Sequence, residues 1–335
     1  MKFPIKFYKV TRGIGLLLLM LSCKLALGAE TELRLEAQAL FGTIDPVTSE
    51  EMNAPKIALG RALFWDESLS VNKETACASC HLAGDWGADR RERSLDARGK
   101  LTRRHSQSVF NTQAAVAGLR WLADRPSGAA QATGSVTGSM GFAEREDLIA
   151  ALRLGNYESH FETVFAEQSQ PLTVANYAQA LQAYQESLRT PAALDRWLSG
   201  DDQALTAQQR RGMRRFIDTG CAACHDGALL GGNRLAKFGV LSNYRALTGS
   251  DAGDTGQMLA TGNEVDRDLF RIQPLRNVAQ TAPYFHDGSV ATLAEAVNIM
   301  AQVQLGQQLS SAEVAEIVAF LHTLSGEVPL HFSAP

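Results

Sequence analysis

Cys77-Ala78-Ser79-Cys80-His81 and Cys221-Ala222-Ala223-Cys224-His225 are two copies of C-x-x-C-H. Each is the attachment signature of a c-type haem. Thiols at i and i+3 form thioethers to the two vinyl groups, and the adjacent His reaches the iron from the proximal face. Four of the chain's five cysteines lie inside these two pentapeptides. A redox dithiol has no use for the trailing His, and a zinc site rarely places one directly after its second Cys. The pattern therefore reads as two covalently bound haems.

The N-terminus reads as a leader. Lys2, Lys6, Lys9 and Arg12 precede an apolar run from Ile14 to Leu21, followed by the small residues Ala26, Gly28 and Ala29. That is a basic n-region, a short h-region and a cleavage site, so residues 1–28 are expected to be a signal peptide. Cleavage at Cys23 as a lipoprotein is the alternative. Export suits haem attachment, which takes place outside the bacterial cytoplasm, and predicts a periplasmic product. Removing residues 1–28 takes away five basic residues and no acidic one, moving the net charge from −4 to −9. An acidic exported protein is a poor nucleic-acid binder and a reasonable partner for a basic redox protein.

At 335 residues the chain is long enough for two domains, one per haem motif. The expected division is 29–204, an N-terminal cytochrome c domain, and 205–335, a C-terminal one whose last segment can pack back on the first. Helical patterning dominates and strands are minor, so the fold class is mainly α. The stretch from Ala54 to Trp65 puts Ile57, Leu59, Leu63 and Phe64 at helical spacing. Thr206 with Gln209, Thr292 with Glu295 and Ser310 with Glu313 read as helix-opening pairs. Helical pattern also covers about 144–154 and 173–189, while 84–108, 123–143 and 226–263 read as loops.

The run from Leu275 to Gly288, L-R-N-V-A-Q-T-A-P-Y-F-H-D-G, is distinctive. With L-G-R-A-L-F at 59–64, Q-L-G at 304–306 and the final helical stretch, it resembles the bacterial dihaem cytochrome c peroxidases and the related dihaem oxidase MauG, which matures methylamine dehydrogenase. The resemblance covers roughly residues 50–328. It implies two cytochrome-c-like domains facing one another, with a low-potential N-terminal haem where peroxide reacts. The C-terminal haem would be the high-potential one that receives electrons.

His81 and His225 are proximal ligands by motif, with Cys77, Cys80, Cys221 and Cys224 as attachment points. The resemblance implies Met300 as the second haem's other ligand, where the MauG branch has Tyr; Met258 is the fallback. Peroxidases that need reductive activation carry a His after the first motif. No His occurs from Leu82 to Arg104, so the first haem is expected to be open at rest, with His105 as the alternative distal ligand. Trp121 takes the place of the family's interhaem Trp, although W-L-A-D-R departs from the family's W-D-G-R. Gln131 matches a distal Gln. Ser139 falls on or beside the position of the family's acid–base Glu, with Glu144 and Glu146 as candidate substitutes. Thr281 and Pro283 match backbone ligands of an interdomain calcium, and His105 stands where relatives supply an Asn to it. His286 is expected to bond a haem propionate or to be structural.

The arginine-rich loop 90–104 and the cluster at 210–215 read as solvated surface. Three functions follow from the resemblance. One is a peroxidase taking hydrogen peroxide and electrons from a small cytochrome c or cupredoxin. Another is a MauG-like oxidase of Trp or Tyr on a partner protein. The third is a non-enzymatic electron carrier. A homodimer is implied by the peroxidases alone.

Overall fold

The computed structural model describes residue 28, residues 30–112 and residues 116–335. The leader expectation, Cys23 included, lies outside these residues except for Gly28. Residues up to Leu40 and residues Phe41–Pro335 are separate compact units. Of the first, residues 30–40 are helical. The rest of the description concerns the second unit.

The second unit is helical, with a single two-stranded antiparallel pair among the described residues, β1 (Leu235–Lys237) against β2 (Leu269–Arg271), in the register Leu235 to Arg271. Helix α1 (Pro55–Trp65) starts on a proline, whose fixed φ suits a first turn. Next come α2 (Gly128–Thr137), α3 (Asp147–Leu154), α4 (Glu158–Val164), α5 (Val174–Ser187) and α6 (Ala193–Leu198). The second half holds α7 (Ala207–Asp218), α8 (Leu293–Leu305) and α9 (Ser311–His322). Thr206, Thr292 and Ser310 each cap a helix as expected, their hydroxyls accepting from the backbone of Gln209, Glu295 and Glu313. Helix α2 falls inside a stretch read as loop. Its sequence, G-A-A-Q-A-T-G-S-V-T, carries two glycines and almost no apolar periodicity. It forms because Ser127 caps it and Ala132 and Val136 bury against the core.

One helix pair recurs in both halves. Helix α1 crosses α5 at Gly60, where a Cβ would lie 2.0 Å from the Ala180 carbonyl oxygen. Helix α7 crosses α9 at Gly212, where a Cβ would lie 1.9 Å from the Glu316 carbonyl oxygen. Only glycine permits so close an approach. Four residues on, Phe64 and Phe216 each sit 6.3 Å, centroid to centroid, from the imidazole of their C-x-x-C-H motif. Each phenyl also meets an aromatic of the crossing helix, Tyr184 at 5.4 Å and Phe320 at 5.3 Å. Replacing Gly212 by Ala is expected to cost about 1–3 kcal/mol or more, because backbone must move to admit the methyl. Gly84→Ala, where nothing lies within 4 Å, should fall within roughly 0.5 kcal/mol of the parent. Thermal unfolding of the holoproteins checks both, and equal melting temperatures would show the crossing to be looser than described.

A second device is repeated as well. Asn111 and Asn277 both adopt left-handed φ, at 59° and 63°. Asn111 N–H donates to Leu188 O, and its Oδ1 accepts from Thr190 N–H. Asn277 N–H donates to Leu324 O, and its Oδ1 accepts from Gly326 N–H. Each asparagine thus ties its half's proximal loop to the end of the helix that crosses at the glycine, α5 in the first half and α9 in the second. Both side-chain amides then donate to the same Thr190 hydroxyl, at 2.8 and 2.9 Å, which pins the halves together. The chain's end returns to the first half: Phe332 lies in the core with Phe64 and Phe110, and Arg61 donates to the Ser333 carbonyl at 2.8 Å.

Candidate active site

Each C-x-x-C-H motif is a single tight turn. Cys80 and His81 donate their amides to Cys77 O at 3.2 and 3.1 Å; Cys224 and His225 donate to Cys221 O at 3.2 and 3.0 Å. His81 Nδ1–H donates to Gly87 O at 3.0 Å, and His225 Nδ1–H to Leu230 O at 3.0 Å. A carbonyl can only accept, so these bonds place the ring proton on Nδ1 and leave Nε2 with its lone pair. Burial lowers the pKa of both imidazoles and keeps them neutral, the form that binds a metal. None of these four cysteines is tied up in a disulfide, which leaves all four for thioether attachment.

A cavity of about 290 Å³ opens beside the second motif. Cys221, Cys224 and His225 form one wall, while Ala296, Val297 and Met300 of α8 form another. Met258 does not line it, which separates the two methionines considered from sequence. Its lining includes two buried polar side chains with atoms that lack hydrogen-bond partners. Arg271 is 5% exposed; its Nη1–H reaches Gly118 O at 3.0 Å, its Nε–H finds no acceptor, and burial lowers its pKa to about 10. His286 is 2% exposed with neither ring nitrogen hydrogen-bonded, and its ring lies 4.5 Å from that of Phe270. Buried donors without acceptors are costly. An apolar macrocycle carrying carboxylates supplies what these residues lack, so they fit a haem.

Trp121 lines the same cavity. Its indole N–H donates to His105 O at 2.9 Å, and its carbonyl accepts from Arg271 N–H at 2.7 Å, so it spans the two segments that carry those residues. The His105 ring is tied to backbone, with Nδ1–H donating to Arg91 O at 3.0 Å, and it faces this cavity too. Thr281 and Pro283 lie on its wall, flanking a cis Ala282–Pro283 bond.

Around the first motif, the turn 94–102 is closed by Asp96, whose carboxylate accepts from the amides of Arg98 and Lys100 at 2.9 Å. Leu95 O lies 3.8 Å from Cys80 Sγ, and Ala97 N–H donates to Ser139 O at 2.8 Å. Ser139 is thereby tied to the segment that passes Cys80. Gln131 on α2 donates to Ser135 Oγ at 3.3 Å, while its Oε1 is buried without a partner. Ser135 O in turn accepts from Met140 N–H, which joins Gln131 to the Ser139 segment. Glu144 and Glu146 are exposed. Arg271, Gln107 and Gln273 were not legible as site residues, since no spacing marks them. Phe270-Arg271, a charge inside an apolar strand, is the one local signal.

Comparison with known proteins agrees with this geometry. Residues 54–203 match the family model for di-haem cytochrome c peroxidase. The cytochrome c551 peroxidase of Pseudomonas aeruginosa is 37% identical over 318 residues, covering 93% of this chain and 91% of the relative. The methylamine utilization protein MauG of Methylophilus methylotrophus is 27% identical, covering 83% and 84%. Among solved structures, a MauG-like protein associated with microbial copper homeostasis superimposes with a TM-score of 0.76 at 28% identity, covering 88% of this chain and 97% of that one. The chain therefore belongs to the di-haem cytochrome c peroxidase family, mainly helical haem peroxidases built of two cytochrome-c-like domains with two c-type haems as cofactors.

Proposed function

We propose that the protein is a periplasmic peroxidase that reduces hydrogen peroxide to water on the His81 side, with electrons entering singly on the His225 side from a small cytochrome c or cupredoxin. The observation that carries this reading is the unequal make-up of the two sites. His225 and Met300 line one cavity, a pair suited to closing an electron-transfer haem. His81 has no second imidazole in the loop that follows it, and the nearest, His105, is held by the Arg91 carbonyl. No helix among the described residues is long and apolar enough to cross a membrane.

The bound haems supply the electron storage and the metal that peroxide meets. The chain's own residues do the rest. His81 and His225 would hold the irons through Nε2, their rings fixed by Gly87 and Leu230. Cys77, Cys80, Cys221 and Cys224 would anchor the macrocycles, and Met300 would serve the second iron. Gln131, with Oε1 free, orients peroxide by accepting its O–H. The Ser139 hydroxyl is a far weaker acid–base than a carboxylate, so proton delivery relies on water as well. Trp121 passes electrons between the halves. Thr281 and Pro283 would offer backbone oxygens to a calcium ion.

The ferric protein as isolated is expected to show a high-spin haem signal in EPR and to react with peroxide without prior reduction; a purely low-spin spectrum overturns the open first site. The second reading, a MauG-like oxidation of a partner protein, is favoured by the missing cap on His81. Stoichiometric peroxide followed by a reduced donor separates them. Rapid donor oxidation supports the peroxidase. A long-lived oxidised state with poor donor turnover supports the protein oxidase, and no spectral change leaves an electron carrier.

A further inference from the structure

Gln107 and Gln273 stand at matching places in the two halves, each four residues before the left-handed asparagine that anchors its half. Val109, two residues past Gln107, donates its N–H to the same Gly87 carbonyl that takes His81 Nδ1–H, and Leu275, two residues past Gln273, donates its N–H to Leu229 O, beside the Leu230 carbonyl that takes His225 Nδ1–H. Their side chains meet, Gln107 Nε2–H donating to Gln273 Oε1. Gln273 is steadied by its own Nε2–H, which donates to Arg271 O at 2.9 Å. Both side chains are half-buried on the cavity wall. Trp121 joins the same two segments two residues earlier, at His105 and Arg271. The amide pair therefore adds a side-chain link between two segments that each run back to the backbone holding a proximal histidine.

We propose that the Gln107–Gln273 pair is a second electron-transfer bridge between the two halves, working beside Trp121. The inference rests on His81 and His225 being the haem ligands. Tunnelling decays more slowly along covalent and hydrogen bonds than across a van der Waals gap, and here one side-chain hydrogen bond joins the two segments. One electron leaves the haem on the His225 side, which is oxidised by one unit, and arrives at the haem on the His81 side, which is reduced by one unit. The small redox donor replaces it. The amides give up no proton and break no bond, so unlike an indole they need not be oxidised in passing.

The test is the interhaem transfer rate after pulsed one-electron reduction of the holoenzyme. Gln107→Leu, Gln273→Leu, the double variant and Gln273→Glu are compared, the last keeping an acceptor for the Gln107 amide. Both leucine variants are expected to slow transfer by the same several-fold factor, and the double variant no further, because the pair acts as one unit. Gln273→Glu should restore most of the rate, and adding Trp121→Phe should slow it again. Midpoint potentials should stay unchanged throughout, which a mere docking role would also give, so the rate decides. Parent-like transfer in both leucine variants overturns the bridge, whatever happens to the melting temperature. Slowing that merely follows shifted potentials overturns it too. Two histidine-ligated haems with unchanged transfer overturn the bridge alone; haems bound without His81 or His225 overturn the ligand assignment and the bridge with it.

Discussion

Arg276→Met is expected to destabilise the holoprotein by about 3–5 kcal/mol, the usual cost of leaving one member of a buried ion pair alone. For a chain of this size that lowers the melting temperature by on the order of 10 °C. Arg276 and Asp195 are 1% and 7% exposed at the side chain and meet through two bonds, at 2.6 and 2.8 Å. The guanidinium also donates to Ala228 O at 2.8 Å and Gly42 O at 3.0 Å, while the carboxylate accepts from the amides of Ile44 and Ala192. One pair therefore ties the loop after His225 to the start of α6 and to residues 42–44. Adding Asp195→Leu should recover only part of the loss. It removes the stranded charge, but two backbone amides then lack an acceptor. Calorimetry of the three variants checks this, and a single variant within 1 kcal/mol of the parent would show the pair to be hydrated.

Met300→His is expected to lower the midpoint potential of the second haem by a tenth or more of the roughly 0.8 V range that axial ligands command. Thioether ligation favours the reduced iron, whereas imidazole favours the oxidised one. Met300 lies one turn beyond Ala296 on α8, and both line the cavity that His225 also lines. Electrons from a donor should then stall before reaching the first site, and peroxide turnover should fall with the potential. Redox titration followed by visible spectroscopy reads the change. An unaltered potential and spectrum would return Met300 to the role of core filler.

Much of the fold follows from local chemistry. The C-x-x-C-H pentapeptides carry their own ligand spacing, and Thr206, Thr292 and Ser310 announce helices through hydroxyls that cap the first turn. What these residues do depends on neighbours within a few positions, so spacing alone exposes it. Helix α2 escaped notice for the opposite reason: it is short, glycine-containing and held by tertiary burial of Ala132 and Val136, and with it went the local setting of Gln131.

Sequence by itself pointed to two haems with His81 and His225 as their proximal ligands, and showed that the loop after His81 offers no second imidazole before His105. It also picked out Met300, through resemblance. Only the tertiary structure decided that Met300 shares a cavity with His225 and Met258 does not. Only it paired Arg276 with Asp195, set Asn111 and Asn277 on one Thr190 hydroxyl, and joined Gln107 to Gln273. Those partners lie tens to more than a hundred residues apart, and no periodicity links them. They meet because two glycine-mediated helix crossings and one shared seam bring the repeated halves into register.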